Sequence, residues 1–327
     1  MSININSKTR LLGLLGNPSR HSFSPLIQNH FLSYYKINCV YLTFEPDVDS
    51  LKTAFESAKN LNFIGLNITM PFKEEVFKLV DKTFGAASAI KAINTIKFLK
   101  KDRMALGFST DGDGVIKSFN DKRINLDGKR CLILGAGGVA KSAVFSILQK
   151  KIKRIFLYDI VKEKALHLIE DLKSNLYSST GFNEKKELIK IKFNYSEIEE
   201  MKEEKIKIKD VDKKIKILAD LKDIEGRLDS VDIIMNCTPA GMDVDNYNDM
   251  IPVPQHWNLK NKIIFEMVYK PVRTQFLKKA YTEGAAAIIN GIDMLINQAV
   301  FSFNIWFGIM PEEKVISKVK EKKLKVI

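Results

Sequence analysis

The amino-acid sequence predicts an α/β protein with two domains, and three observations lead to this prediction. Apolar runs of strand length alternate with amphipathic stretches, which indicates layers of mainly parallel strands covered by helices. A length of 327 residues is typical of about two domains. A glycine-rich turn, "LILGAGGVA", opens a second series of strands and helices near residue 132.

The first third of the chain supplies the elements of one domain. "RLLGLLG", "VYLTFEP" and "FIGLNITM" are predicted strands, and "SPLIQNHFLSYY" and "DSLKTAFESAKN" are predicted helices, the former with Ser24 as its N-cap. "AINTIKF" and "RMALGFST" are predicted as two paired strands. Another helix is predicted to begin at Pro71, so Lys73 falls in its first turn, where the helix dipole disfavours a cation. A lysine in this unfavourable place suggests a functional role.

The rest of the chain supplies a second unit. "KRCLILGAGGVAKSAVFSILQK" reads as strand, turn and helix, and "RIFLYD", "VDIIMNCTP", "NKIIFEMVY" and "AAAIING" read as further strands. "EKALHLIEDLKSN" and "GIDMLINQAVFSFNIWFG" are predicted helices. The interval 174–230 is rich in Lys, Glu and Ile, and we predict that much of it is an insertion with short elements of its own and no chemistry.

Composition and charge exclude several classes of protein. The formal charge is +13, but the most charged stretch has nearly as many acidic residues as lysines and few aromatics, which does not favour nucleic-acid binding. No apolar run reaches the roughly 18 residues of a membrane helix, and the amino terminus does not resemble a signal peptide. The three cysteines are far apart, so we expect no metal site, no disulfide framework and a cytoplasmic location. Anionic small molecules remain plausible ligands.

The glycine-rich turn is the strongest chemical signal. Gly135, Gly137 and Ala140 match the dinucleotide-binding pattern, in which backbone N–H groups approach a pyrophosphate at the start of a helix. An ordinary tight turn would also contain glycines. Here, however, a strand precedes the turn, a helix follows it, and Asp159 ends the next strand, where an acid binds the ribose hydroxyls. These features favour dinucleotide binding.

Polar side chains cluster around the ends of the predicted strands in the first domain. Hydroxyls, amides, a lysine and an aspartate together suit a small polyhydroxylated acid. The residues are Ser22, Ser24, Asn67, Thr69, Lys73, Asn94, Thr110 and Asp111.

Eight motifs occur in the order and approximate spacing of the shikimate dehydrogenases and the related quinate/shikimate dehydrogenases, a family that the chain therefore resembles. They are "GNPSRHSFSP", "NITMPFK", "AINT", "STDGDG", "GAGGVA", "CTPAGM", "MVYKPVRT" and "GIDMLINQ". The resemblance implies a substrate domain over 1–110 completed by 293–327, and a Rossmann domain over 111–292. It also implies reversible hydride transfer between a nicotinamide and the 3-position of shikimate or 3-dehydroshikimate.

The resemblance also assigns roles to individual residues. Lys73 matches the catalytic lysine of the family and Asp111 matches its partner. Residues that match groups holding the carboxylate and hydroxyls of the substrate are Ser22, Ser24, Asn67, Thr69, Asn94, Tyr269 and Gln298. Residues that match the cofactor site are Gly135, Ala136, Gly137, Gly138 and Val139 at the pyrophosphate, and Met242, Val268, Gly291 and Met294 at the nicotinamide.

Two departures from the family pattern are present. Ser109 replaces an asparagine that is frequent in the family, which affects one hydrogen bond near the catalytic pair. Tyr158–Asp159–Ile160 replaces the Asn-Arg-Thr segment that receives the 2′-phosphate of NADP. Because Asp159 would repel that phosphate, we predict NAD as the preferred cofactor by at least about tenfold, with NADP as the alternative.

Other readings remain open. A methylene-tetrahydrofolate dehydrogenase also pairs a lysine-bearing domain with a Rossmann domain, although the paired serines, Asn94, Asp111 and Gln298 favour a hydroxy acid. A nucleotide-sensing regulator without catalysis could use the same scaffold, but retention of both Lys73 and Asp111 argues against it. The sequence does not decide between shikimate and quinate, and it leaves a homodimer open.

Overall fold

The computed structural model describes residues 5–178, 208–244 and 246–324, and it has the predicted α/β class. The chain forms two compact units. Unit 1 contains Met1–Gly114 and Leu295–Ile327, and unit 2 contains Val115–Met294. The sequence predicts these boundaries at 110 and 292.

The helices and strands are numbered along the chain. The strands are β1 Arg10–Leu15, β2 Cys39–Phe44, β3 Gly65–Ile68, β4 Lys82–Thr83, β5 Thr95–Phe98, β6 Ala105–Phe108, β7 Arg130–Leu134, β8 Arg154–Tyr158, β9 Ile215–Ile217, β10 Ile233–Asn236, β11 Ile263–Glu266 and β12 Ala287–Ile289. The helices are α1 Ser24–Tyr34, α2 Leu51–Asn60, α3 Ala86–Ile90, α4 Asp111–Asp121, α5 Gly138–Leu148, α6 Lys162–Ser178, α7 Ile208–Lys214, α8 Lys222–Glu225, α9 Gln275–Thr282, α10 Gly291–Phe307 and α11 Glu313–Leu324.

Unit 1 contains a mixed six-stranded sheet in the order β2-β1-β3-β5-β6-β4. β1 pairs in parallel with β2 and β3, whereas β5 pairs antiparallel with β3 and β6, as predicted for the two strands joined by a short turn. α10 lies on this sheet because Gly65 has no side chain: a Cβ there would come within 2.4 Å of Nε1 of Trp306. The Trp306 indole donates to the Ile96 carbonyl at 2.8 Å. The late helix α10 is therefore part of the core of unit 1.

The prediction of a helix that begins at Pro71 is wrong. Residues 71–75 form successive turns, and a short 3-10 helix, Val76–Lys78, follows them. The carbonyl oxygen of Lys73, which an α-helix would use internally, instead accepts the N–H of Ile93 at 3.0 Å. This hydrogen bond to a distant segment competes with helix formation. The helix dipole therefore does not explain why a lysine occupies position 73.

The prediction that Ser24 is the N-cap of α1 is also wrong. Phe23 is the N-cap and makes no side-chain capping bond, while Ser24 is already helical and is followed by a proline in the first turn. The Oγ of Ser22 accepts the backbone N–H of Ser24 at 3.1 Å. A serine placed one residue before the cap thus binds a donor at the helix start.

Unit 2 contains a six-stranded sheet in the order β12-β11-β10-β7-β8-β9, and every pair is parallel. Counted from β7, this is the strand order 3-2-1-4-5-6 of dinucleotide-binding sheets. The order reverses between β7 and β10, so the loops after these two strands diverge at one edge of the sheet. Ligands of such folds bind at this edge.

The interval 174–230 is not a single insertion. α6 continues to Ser178, and β9 pairs with β8 at the edge of the sheet of unit 2. Val211 and Ile224 are buried in the same unit. A three-residue strand among lysines and glutamates is too short to give a periodic pattern, which explains the error. The remainder of the predicted insertion, 179–207, lies outside the described residues.

Each unit has a hydrophobic core among its described residues. The core of unit 1 includes Phe55, Phe72 and Ile96, and that of unit 2 includes Trp257 and Phe276. Among the residues that the structure describes, no helix is both long and apolar enough to cross a membrane.

Candidate active site

A buried ion pair lies at one end of the sheet of unit 1. Nζ of Lys73 is 2.5 Å from Oδ2 of Asp111, and the two side chains are only 12% and 7% exposed. Lys73 belongs to the turns after β3, and Asp111 begins α4. Charge-assisted hydrogen bonds of this kind are short and strong. An ammonium and a carboxylate in contact can exchange a proton with a bound hydroxyl group.

Asn94 fixes the second oxygen of the carboxylate. Its Nδ2 donates to Oδ1 of Asp111 at 2.7 Å and to Oγ1 of Thr110 at 3.0 Å, and its Oδ1 accepts the N–H of Thr110 at 2.8 Å. Asn94 precedes β5, while Thr110 and Asp111 follow β6. Because β5 and β6 are antiparallel neighbours, these residues meet at the same edge of the sheet.

Two further predicted residues join this network. Oε1 of Gln298 lies 3.4 Å from Nδ2 of Asn94 and 3.4 Å from Oγ1 of Thr110. Nδ2 of Asn67 donates to the Asn94 carbonyl at 2.9 Å and lies 3.1 Å from Oγ of Ser302. Asn67 is the third residue of β3, and Gln298 lies on α10. The carboxyl-terminal helix thus contributes to the same site as the first strands.

The two predicted serines lie at the start of α1. The hydroxyl of Ser22 donates to Oγ of Ser24 at 3.1 Å. Elsewhere in unit 1, the hydroxyl of the buried Tyr41 donates to Oδ1 of Asn67 at 2.9 Å. The two serines thus contact each other at the helix start, and a buried phenol orients the amide of Asn67.

The loop that contains the serines is held by a carboxylate. Glu45 accepts the backbone N–H groups of Ser19 and Arg20, at 2.5 Å and 2.8 Å, and pairs with the Arg20 guanidinium at 2.8 Å. The backbone N–H donors of Ser19 and Arg20 hold the pKa of Glu45 below its ordinary value. Thr69, another predicted residue, is half-buried against Gly16, where a Cβ would come within 2.1 Å of its methyl group.

The glycine turn in unit 2 fits a pyrophosphate. Gly135 has φ +100°, and a Cβ there would come within 2.9 Å of the Cys237 carbonyl oxygen. Gly137 precedes α5 as its N-cap without a side-chain capping bond, and a Cβ added to it would meet no atom within 4 Å. Open space thus lies before the helix start, where N–H groups favour anions. Ala136 and Val139 complete the predicted turn, and Gly138 is the first residue of α5.

Asp159 follows β8 and contacts this turn directly. Its Oδ2 accepts the N–H of Ala136 at 2.8 Å, and its Oδ1 accepts the N–H of Val161 at 2.9 Å. Each carboxylate oxygen has a second lone pair that remains available to a ribose hydroxyl.

The residues assigned to the nicotinamide lie in the loops of unit 2. Gly291 approaches the loop after β11 closely, because a Cβ there would lie 2.5 Å from the Val268 carbonyl oxygen. Val268 and Met294 are buried, whereas Met242, which follows β10, is half-buried. Tyr269, predicted to bind substrate, is half-buried in the same loop as Val268.

Glu266 at the end of β11 organises these loops and was not predicted. It is fully buried; Oε1 accepts from Nδ2 of Asn236 at 2.8 Å and from N–H of Val268 at 2.9 Å, and Oε2 accepts from the Thr274 hydroxyl at 3.0 Å. Burial raises the pKa of Glu266 to about 8, although these hydrogen bonds act in the opposite direction.

Other residues of the site were also not identified from the sequence. Thr95 and Ser302, whose hydroxyls are 2.8 Å apart, both contact Asn67. Ser302 is one helical turn after Gln298, and this spacing could have identified it. No feature of the sequence distinguished Tyr41, because a tyrosine in a buried strand is common in protein cores. Among the described residues, no group of three or more His, Cys, Asp or Glu side chains could hold a metal ion.

Comparisons with known proteins find relatives that match along the chain. The model of the shikimate dehydrogenase substrate binding domain matches residues 14–96, and that of the shikimate 5′-dehydrogenase C-terminal domain matches residues 291–319. A shikimate dehydrogenase (NADP(+)) of Methanococcus vannielii is 34% identical over 95% of this chain and 96% of its own length.

Solved structures show the same similarity. A shikimate dehydrogenase in complex with NADP+ has a TM-score of 0.78 at 30% identity, covering 98% of this chain and 97% of that one. The shikimate 5-dehydrogenase of Listeria monocytogenes, in complex with shikimate and NAD, has a TM-score of 0.77 at 25% identity, covering 98% of each chain. With relatives of this identity matched over nearly their whole length, the chain belongs to the shikimate dehydrogenase family of oxidoreductases.

Proposed function

We propose that this chain catalyses the reversible oxidation of shikimate to 3-dehydroshikimate, with Lys73 and Asp111 as the residues that move the proton. The observation that carries the proposal is their buried ion pair, with 2.5 Å between Nζ and Oδ2, within a cluster of amides and hydroxyls. Quinate, which carries one more hydroxyl group, is the second substrate to be tested.

The proton and the hydride leave the same alcohol. As the C3–H bond breaks, the C3 hydroxyl gives its proton to the Lys73–Asp111 pair and the C3–O bond becomes a carbonyl. Met242, Val268, Gly291 and Met294 would hold a nicotinamide ring, which would supply the hydride acceptor in this direction and the hydride donor in the reverse direction. Asn94 keeps one oxygen of Asp111 occupied at 2.7 Å, so the carboxylate keeps its orientation towards Lys73.

The remaining polar residues would hold the acid. Ser22 and Ser24 can donate to its carboxylate, since each carries a hydroxyl at the start of α1. Thr69 and Tyr269 supply further hydroxyl groups. Amides suit the ring hydroxyls because each offers both a donor and an acceptor, and we assign this role to Asn67, Asn94 and Gln298.

The cofactor would bind along the loops of unit 2. The turn Gly135–Val139 would hold the pyrophosphate and Asp159 the adenosine ribose. We assign the nicotinamide side to the buried or half-buried residues Met242, Val268, Gly291 and Met294.

Two observations point in opposite directions on the choice between NAD and NADP. The Methanococcus vannielii and Methanococcus maripaludis relatives are named for NADP(+), and the similar structure at 30% identity holds NADP+, so the comparisons favour NADP and do not support the preference for NAD predicted from the sequence. Asp159 favours NAD, because two backbone N–H groups hold its carboxylate, and it cannot turn away from a 2′-phosphate without losing both. Lys162 and Lys164 are exposed, flexible cations that compensate poorly for this repulsion. We therefore propose NAD as the preferred cofactor by at least about tenfold in kcat/KM.

One assay tests the proposal. The purified chain is mixed with shikimate, quinate or methylene-tetrahydrofolate and with NAD or NADP, and the absorbance of the reduced nicotinamide is followed. We expect turnover with shikimate and faster turnover with NAD. Turnover only with methylene-tetrahydrofolate, or none at all, would overturn the substrate assignment, and equal use of both cofactors would overturn the cofactor preference.

Two further properties complete the proposal. We place the protein in the cytoplasm, because its three cysteines are free, and two of them, Cys39 and Cys131, are buried. We also propose a homodimer, which size-exclusion chromatography with light scattering would test; a monomer would contradict this proposal.

A further inference from the structure

The loop that carries the two predicted serines, residues 16–24, lies beside the end of β2. This serine loop follows β1, and Glu45 is the first residue after β2, the parallel neighbour of β1. Leu15 and Phe44, the last residues of the two strands, are paired in register. The loop and Glu45 therefore leave the sheet at the same edge. Nothing in the proposed reaction itself uses Glu45.

Two backbone N–H groups of the serine loop bind Glu45. Its Oε1 accepts the N–H of Ser19 at 2.5 Å and that of Arg20 at 2.8 Å, while its Oε2 lies 2.8 Å from Nε of Arg20. Ser19 is buried, so loss of Glu45 would leave its N–H without this acceptor in a place that excludes water. The Arg20 side chain is 82% exposed, and exposed ion pairs contribute little. The two N–H bonds are therefore the contacts that hold the loop.

The position of Ser19 in turn determines that of both predicted serines. The carbonyl of Ser19 accepts the N–H of Ser22 at 2.9 Å. Oγ of Ser22 accepts the N–H of Ser24 at 3.1 Å, and the hydroxyl of Ser22 donates to Oγ of Ser24 at 3.1 Å. Because a hydroxyl hydrogen can rotate, Ser22 can give it to a bound carboxylate in place of Ser24. A shift of Ser19 would therefore move the donor that the acid needs.

The other end of the serine loop is attached to the turns that lead to Lys73. The N–H of Asn17 donates to the Met70 carbonyl at 3.0 Å, and Nδ2 of Asn17 donates to the Pro46 carbonyl at 3.3 Å. Lys73 lies three residues after Met70. One end of the loop is thus placed relative to the proposed catalytic lysine, and Glu45 places the part that carries the serines.

We propose that Glu45 is a positioning residue for the carboxylate of the substrate, because it holds Ser22 and Ser24 where they can bind that group. The inference rests on the proposed function, which assigns the carboxylate of the acid to the two serines. Glu45 carries the same charge as the acid and would repel it at close range, so it acts through the loop and not by contact. Its loss should therefore weaken binding of the acid more than binding of an uncharged derivative.

The test compares shikimate with its methyl ester, which keeps the ring hydroxyls and lacks the charge. Glu45→Ala should raise KM for shikimate roughly tenfold, which corresponds to about one hydrogen bond to a charged group. KM for the ester and KM for the dinucleotide should stay within about twofold, because neither depends on binding a carboxylate. A general loss of stability would act on acid and ester alike, so equal rises of KM for both would overturn the proposal.

Two matched variants separate the N–H bonds from the ion pair. Arg20→Ala removes the ion pair and keeps both backbone N–H groups, so KM for shikimate should rise by less than about threefold. Glu45→Gln keeps an oxygen that can accept both N–H groups, so it should recover most of the affinity that Glu45→Ala loses. The proposal is overturned if Arg20→Ala matches Glu45→Ala, or if the glutamine variant recovers nothing.

Glu45→Asp gives an answer even if Glu45→Ala does not fold. It keeps the charge but draws the oxygens back by one methylene group, so KM for shikimate should rise relative to KM for the ester by at least about threefold. The unaltered chain separates the two levels of inference. No turnover of shikimate by it defeats the proposed function, whereas turnover with an acid-to-ester ratio that the Glu45 variants leave unchanged defeats only the role of Glu45.

Discussion

The stability of unit 2 should depend on pH through Glu266. This carboxyl is fully buried, and burial raises its pKa from 4.5 to about 8. In the unfolded chain it loses its proton near 4.5, whereas in the folded unit it keeps the proton up to about 8. The folded state therefore binds more protons between these values, and the free energy of unfolding falls as pH rises through this window.

The magnitude follows from the same two values. Across this window, each pH unit lowers the free energy of unfolding by at most about 1.4 kcal/mol. The full window therefore lowers it by at most roughly 5 kcal/mol. Below about pH 4.5 the group contributes no pH dependence, and above about pH 8 the loss is complete. The reason is that the ionised carboxylate must stay in a buried position with three hydrogen-bond donors, from Asn236, Val268 and Thr274.

Urea unfolding of the wild type and of Glu266→Gln measures this effect. The chain has two tryptophans, so a Trp306→Phe background leaves Trp257, in the core of unit 2, as the fluorescent reporter. The glutamine cannot ionise, so its contribution to stability should not depend on pH. At about pH 5.5 the variant should be less stable than the wild type, because the amide nitrogen cannot accept a hydrogen bond that a carboxyl oxygen of Glu266 accepts. The stability difference should shrink, or change sign, by about pH 8.5.

Glu283→Gln in the same unit is the control. Burial acts to raise the pKa of Glu283, but hydrogen bonds from Lys279 and from the Leu259 N–H leave it below its ordinary value. Its contribution to stability is therefore lost as pH falls, and its difference from the wild type should stay constant above neutrality. If the Glu266→Gln difference is equally constant, the folded and unfolded states bind the same number of protons at Glu266 in this window, and the reasoning is refuted.

Two other predictions concern the proposed site. Lys73→Ala should lower kcat by roughly 10² to 10⁴ while dinucleotide binding persists, with the exposed Lys78→Ala as control; near-normal turnover in the folded Lys73 variant would end the assignment. Asp159→Asn should reduce the preference for NAD over NADP by roughly tenfold or more, because the repulsion of the 2′-phosphate disappears; steady-state kinetics that show an unchanged ratio would contradict the role of Asp159.

Much of the fold could be predicted because long periodic segments determine it. The strands β1, β7 and β10 and the helices α5 and α10 were all recognisable from apolar patterning. The turns after β3 could not be predicted, since a hydrogen bond from Ile93 to the Lys73 carbonyl replaces the expected helix. Local sequence carries no information about a partner twenty residues away.

The site was predictable in part for a different reason. Lys73 and Asp111 belong to motifs of the family, and the structure places them in contact. Tyr41 and Glu266 lie in segments that read as ordinary buried strands, and only their hydrogen bonds distinguish them from core residues. Polar groups inside apolar strands are therefore the part of this site that pattern reading misses.

The division of the chain into units has a consequence for its synthesis. Unit 2 is one continuous segment, Val115–Met294, whereas unit 1 needs Leu295–Ile327 as well as the first 114 residues. Domains usually complete their folding in the order in which the ribosome releases them. Here the order is inverted, because unit 2 can finish folding before unit 1. Gly65 and Asn67 belong to the first part of unit 1, but their contacts with Trp306 and Ser302 can form only after those residues have been synthesised. We therefore expect the nascent chain to acquire the proposed substrate site only after α10 has emerged.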